Sequence, residues 1–172
     1  MTKQHPHESV QALVQRLGQA LKTHGWSLAT AESCTGGLIA AACTAVSGSS
    51  DWFDRGFVTY SNASKMQLLG VSEALLTTHG AVSEPVVRAM AEGAWARSTA
   101  QVAVAVTGIA GPTGATPGKP VGTVWLAVSL RDGPTQAWNL WWPGDRQAVR
   151  EATVHEALDR LVQVVSLGGR TG

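Results

Sequence analysis

The sequence predicts one α/β domain of three layers, a mixed sheet covered by helices on both faces. Three observations lead there. Helix-patterned and strand-patterned segments alternate through the first half of the chain. Residues Val102 to Val106 are apolar with no polar alternation, as a strand covered on both sides requires. The last two strand-like runs flank a tight turn, which adds antiparallel pairing to a sheet otherwise built by crossovers. A length of 172 residues suits a single domain. It is placed at 1–172, with its core at about 8–165 and short polar tails.

Each element has a local reason. Val10, Leu13, Val14, Leu17 and Leu21 recur at helical spacing, so a helix is expected from about Glu8 to His24, with Gly25 as its stop. Ser27 to Ala31 reads as a short strand, Glu32 to Gly37 as a turn, and Leu38 to Val46 as a helix of mostly small residues. A loop at Ser47–Ser50 leads to a strand at Gly56–Tyr60. Ser61 or Asn62 caps a short helix ending at Gly70, and Ser72 caps another that stops at Gly80. Ser83-Glu84-Pro85 opens a longer helix, with Val87, Met90, Ala91, Ala94 and Trp95 on its inner face. After Val102–Val106, four glycines and three prolines mark Gly108–Pro120 as a long loop. Gly122–Leu130 and Thr135–Trp142 form a hairpin around Arg131-Asp132-Gly133-Pro134. Asp145 caps the last helix, whose face is Val154, Leu158, Leu161, Val162 and Val165, and a tail follows from Ser166.

Composition excludes several function classes. Lys+Arg is 13 against 12 Asp+Glu, so no basic field exists to hold nucleic acid or an anionic membrane. No run of about 20 apolar residues suggests a span, and the polar start Met1 to Glu8 does not read as a signal peptide. Two cysteines, Cys34 and Cys43, make no disulfide framework, so a reduced, cytoplasmic protein is expected. Trp138, Leu140 and Trp142 alternate on one strand and read as core or subunit interface, not a base-stacking surface. The sequence contains no G-x-G-x-x-G, Walker A, G-x-S-x-G or S-x-x-K pattern. The five histidines show no metal-ligand spacing.

Three segments can carry chemistry. In Thr30-Ala31-Glu32-Ser33-Cys34-Thr35-Gly36-Gly37, a hydroxyl follows a strand and precedes a helix. Ser33 is either a nucleophile with nearby amides as its oxyanion hole or a simple helix cap. Cys34 beside it reads as a packed thiol. In Tyr60-Ser61-Asn62-Ala63-Ser64-Lys65, Tyr60 is the only tyrosine and Lys65 one of four lysines. A lysine held in an apolar site loses its proton near neutral pH and serves as a base; on a helix surface it is merely solvated. In Thr107-Gly108-Ile109-Ala110-Gly111-Pro112-Thr113-Gly114, glycines let a ligand approach the backbone, or simply make a long connection. Arg146, with Arg150 one helical turn on, offers a guanidinium for an anion.

Taken together these segments resemble the CinA C-terminal domain family, the nicotinamide-nucleotide amidohydrolases. Further matching stretches are Gly48-Ser49-Ser50, Gly56-Phe57-Val58-Thr59-Tyr60-Ser61-Asn62, Gly80-Ala81-Val82-Ser83-Glu84-Pro85-Val86-Val87, Lys119-Pro120-Val121-Gly122-Thr123-Val124 and Pro143-Gly144-Asp145-Arg146. They run in order from about residue 8 to 165. The resemblance implies hydrolysis of the carboxamide of nicotinamide mononucleotide to nicotinate mononucleotide and ammonia. The family's serine maps to Ser33, its lysine to Lys65 and its tyrosine to Tyr60.

On that reading Lys65 deprotonates Ser33, and Ser33 forms an acyl-enzyme. Amides near Thr35, Gly36 and Gly37 hold the oxyanion, and Tyr60 positions Lys65 or relays a proton to ammonia. Thr107, Gly108, Ala110 and Gly111, with Arg146 and Arg150, bind substrate and its phosphate. No metal and no cofactor are expected, and a homo-oligomer, preferably a dimer, is. Family members also occur fused behind a molybdopterin-binding-like domain, for which this chain has no room. Two rival readings are a non-catalytic partner-binding module linked to competence or DNA damage, and an amidase for another small carboxamide.

Overall fold

A computed structural model describes residues 8–168. The tail residues 1–7 and 169–172 lie outside the described residues. The elements are α1 (Val10–His24), β1 (Leu28–Glu32), α2 (Leu38–Thr44), a 3-10 turn (Ser49–Asp51), β2 (Phe53–Val58), α3 (Asn62–Leu69), α4 (Glu73–His79), α5 (Glu84–Ala96), β3 (Val102–Gly108), β4 (Thr123–Leu130), β5 (Thr135–Trp141) and α6 (Arg146–Ser166).

The five strands form one sheet in the order β2-β1-β3-β4-β5. β1 is parallel to both β2 and β3, while β3/β4 and β4/β5 are antiparallel. The expected mixed sheet between helical layers is therefore present. Residue size decides which helix covers which face. Leu28 on β1 and Val102, Val104 and Val106 on β3 join the core formed with α1, α2 and α6. Ala29, Ala31, Ala103 and Ala105 alternate with them and form the other core, against α5 and the ends of α3 and α4. Small residues bring α5 close to the sheet, and large ones fill the wider gap beneath α1 and α6.

Most predicted ends are set by the expected caps. The Ser61, Ser72 and Asp145 side chains each accept from a first-turn amide, and Gly25 and Gly70 close their helices in the left-handed conformation. The clear departure is β2, which occupies Phe53–Val58 instead of Gly56–Tyr60. It is an edge strand carrying Asp54 and Arg55, so its start lacks the apolar pattern that marks the central strands. Its register begins at Leu28↔Phe53, and Phe53 packs against the core. The shift matters for the site, because Thr59 and Tyr60 leave the sheet and turn toward α3. Gly93 allows that helix to dock: a Cβ there would sit 2.1 Å from the Leu69 carbonyl oxygen at the end of α3.

Candidate active site

β1, β2 and β3 are parallel, so their carboxyl ends share one edge of the sheet. The chain leaves β1 toward β2 and leaves its neighbour β3 in the opposite direction, toward β4, so a crevice opens at the switch point between the ends of β1 and β3. The antiparallel hairpin brings the start of β4, the end of β5 and the start of α6 to the same edge. A pocket of about 180 Å³ lies there, lined by Ser33, Cys34, Tyr60, Asn62, Lys65, Ala81, Val82, Thr107, Gly108, Ala110 and Arg146.

At its base the Lys65 Nζ lies 3.0 Å from Ser33 Oγ and donates to the Thr59 carbonyl at 2.7 Å. Lys65 is 1% exposed although it sits on a short surface helix, because its stem runs inward to the sheet edge. Burial brings its ammonium from the ordinary 10.5 down to about 8. Of the two readings open for this lysine, the solvated one is excluded. Cys34 behaves oppositely: burial pushes its thiol up to about 11, so it stays protonated as the packed-thiol reading requires.

The turn after Ser33 is held from beneath. Glu32 ends β1 and is fully buried. Its carboxylate accepts from the Thr35 hydroxyl at 2.6 Å, from the Ile39 amide at 2.8 Å and from the Ala40 amide at 3.0 Å. Gly37 at the N-cap of α2 has no side chain to offer, so Glu32 supplies the cap from seven residues upstream of Ile39. Gly36 and Gly37, at φ of 58° and 103°, make the reversal that lets the carboxylate reach.

The expected residues separate into two sets. Ser33, Lys65, Tyr60, Thr107, Gly108, Ala110 and Arg146 line the pocket. Thr35, Gly36, Gly37, Gly111 and Arg150 do not. The Thr35 hydroxyl is occupied by Glu32, and the Gly36 amide donates to the Ser33 carbonyl at 3.0 Å, which removes it as an oxyanion donor. The Thr35 amide has no acceptor among the described residues. Arg150 faces backbone instead of the cavity: its Nε donates to the Cys34 carbonyl at 3.1 Å and its Nη2 to that of Thr35 at 3.5 Å.

Of the two roles expected of Tyr60, the positioning of Lys65 is not the one its contacts make. Its hydroxyl accepts from Arg146 at 2.7 Å, and the Thr59 carbonyl, not Tyr60, positions Lys65. Arg146 donates also to the Gly111 carbonyl at 3.0 Å, so Gly111 helps place the guanidinium at the pocket rim. Thr107 donates to the Ala81 carbonyl at 3.0 Å and so fixes the Ala81-Val82 wall to the end of β3.

Sequence reasoning missed Glu32, the Thr59 carbonyl, Asn62, Ala81 and Val82. Asn62, Ala81 and Val82 fall in stretches that carried the family resemblance, whereas a backbone carbonyl has no residue-type signature. Among the described residues no group of three His, Cys, Asp or Glu side chains is placed to hold a metal ion, and no helix is long and apolar enough to cross a membrane.

Comparison with known proteins shows the family. The family model of the CinA C-terminal domain matches residues 10–165. A Symbiobacterium thermophilum relative named for competence-damage induction is 58% identical over 154 residues, 84% of this chain and 36% of that protein. The chain therefore spans only about a third of that relative. The Shigella flexneri protein named nicotinamide-nucleotide amidohydrolase PncC is 52% identical over 151 residues, 88% of this chain and 92% of that one. The crystal structure of the competence/damage inducible protein CihA from Agrobacterium tumefaciens superposes with a TM-score of 0.89 at 45% identity, covering 93% of this chain and 98% of that one. The chain belongs to the CinA C-terminal domain family.

Proposed function

We propose that this protein hydrolyses the carboxamide of nicotinamide mononucleotide to nicotinate mononucleotide and ammonia, with Ser33 as nucleophile and Lys65 as base. One observation carries the reading: a buried amine whose pKa is brought down to about 8 lies 3.0 Å from a hydroxyl at the bottom of a pocket. The amidohydrolase name borne by the Shigella flexneri relative supports the reaction class.

Neutral Lys65 accepts the Ser33 hydroxyl proton while keeping its hydrogen bond to Thr59. Oγ attacks the amide carbon, and the carbonyl oxygen becomes an oxyanion beside the turn that follows Ser33. Lys65 returns the proton to the amide nitrogen, the C–N bond breaks and ammonia leaves. Water then attacks the ester with Lys65 again taking its proton, and that proton goes back to Oγ as the acid is released. The pyridinium ring brings a fixed positive charge beside Lys65, which further favours the neutral amine. Ala81, Val82 and Ala110 give the ring an apolar wall, and Arg146 at the rim suits the 5′-phosphate.

The test is ammonia release from the mononucleotide by the native chain and by Ser33→Ala. The native protein is expected to turn over and the folded variant to show no activity; an active Ser33→Ala protein refutes the acyl-enzyme route. We also infer a homodimer, supported by exposed Val58 and Tyr60 at and just beyond the edge strand β2 and by nearby Leu38; sedimentation velocity measures it. A cytoplasmic setting fits two free, buried thiols.

A further inference from the structure

Ser33, Cys34, Thr35 and Gly36 form a β-turn closed by the Gly36 amide donating to the Ser33 carbonyl at 3.0 Å. Its central peptide joins Cys34 to Thr35 and is trans. A peptide unit is planar, so its C=O and N–H point in opposite directions. Central peptides are the soft part of a β-turn: type I and type II turns differ mainly by rotating that one unit, which reverses its N–H. Here the Thr35 residue is fully buried and its amide has no acceptor among the described residues. A buried donor without a partner is costly and rare outside functional sites.

Among the described residues one side chain bonds the carbonyl of this peptide. Arg150, one turn into α6, donates from Nε to the Cys34 carbonyl and from Nη2 to the Thr35 carbonyl. We propose that Arg150 is a positioning residue that locks the Cys34–Thr35 peptide and so holds the turn that presents Ser33 to the pocket. The shorter Nε contact sets the orientation of that peptide. Glu32 grips the same turn through the Thr35 hydroxyl, so the unit is held between a carboxylate on one element and a guanidinium on another. This role differs from the phosphate contact expected of Arg150 from sequence, and it rests on the Ser33 acyl-enzyme reading above.

The experiment measures kcat and KM for native protein, Arg150→Met and Arg150→Lys on two substrates, nicotinamide mononucleotide and the phosphate-lacking riboside. Urea midpoints check that each variant is folded. A misplacement of about 1 Å at the reacting group costs enzymes about 100-fold, so a loosened Ser33 turn should cost about tenfold or more in kcat. Arg150→Met is expected to lose that factor in kcat equally on both substrates, with KM little changed. Arg150→Lys keeps a cation but not the fork and should fall between. A KM increase confined to the mononucleotide makes Arg150 a phosphate ligand and overturns the proposal. Unchanged kcat in either folded variant overturns it as well. If Arg150→Met does not fold, Arg150→Lys alone decides by the same criterion. Native protein without turnover on either substrate overturns the reaction assignment and this role with it, which separates that failure from a defect limited to the variants.

Discussion

Replacing Lys65 by Met tests the site through stability as well as rate. Burial brings the Lys65 pKa from 10.5 to about 8. Below pH 8 the folded and unfolded chains both carry the proton, and the full cost of the buried charge is present. Between pH 8 and 10.5 the folded chain releases it while the unfolded chain keeps it, so stability rises with pH. Above that range both are neutral and the cost has gone. At 1.36 kcal/mol per pKa unit, the native protein should gain about 2–3 kcal/mol from this group between pH 7 and pH 10. Lys65→Met has no proton to release and lacks this slope. It also leaves the Thr59 carbonyl without its donor, but that cost is the same at every pH. The informative quantity is therefore the difference between the two urea-unfolding free energies, measured in steps from pH 7 to 10; it should shift by about 2–3 kcal/mol in favour of the native protein. In activity, kcat/KM of the native protein should fall tenfold per pH unit on the acid side, to about 1% of its plateau at pH 6. Lys65→Arg keeps the charge but not the base and should be inactive. A stability difference independent of pH, or an active Lys65→Arg protein, would refute the neutral-lysine argument.

Other expectations follow from single contacts. Cys34→Ala should keep near-native ammonia release, because a thiol pushed up to about 11 supplies no thiolate at working pH. Arg146→Ala removes a charged donor from the pocket rim and should raise KM for the mononucleotide by about 10- to 100-fold, from the 1.5–3 kcal/mol of such a bond, with a smaller effect on the riboside. Equal losses on both substrates would show that its bonds to Tyr60 and Gly111 matter more than the phosphate. Gly93→Ala should lower the urea midpoint, at a cost of about 1–3 kcal/mol, since its Cβ would press on the Leu69 carbonyl and drive α3 from α5. Because α3 carries Lys65, kcat should fall too, and a variant with native stability and rate would contradict the tight docking.

The sequence by itself determined the features that act over a few residues. Helix starts at Ser61, Ser72 and Asp145 were legible because capping depends on one side chain and the next turn. The buried strand β3 was legible because a strand covered on both faces has no reason to alternate polar residues. Ser33, Lys65, Tyr60 and Arg146 stood out as chemically able groups at strand–helix junctions, and the pocket brings all four together. Edge strand β2 was misplaced by three residues at its start, because Asp54 and Arg55 remain in water there and hide the pattern. What each able group is paired with was decided only by tertiary structure. Lysine on a surface helix is ordinarily solvated, and Lys65 is a buried amine only because α3 docks on α5 and points it under the Thr59 carbonyl. Arg146 and Arg150 are alike in sequence, four residues apart on one helix. Their roles diverge because one meets the pocket rim and the other meets two backbone carbonyls 115 and 116 residues away along the chain. Partners that distant are chosen by the packing of α6 across the sheet edge, and no local pattern records them.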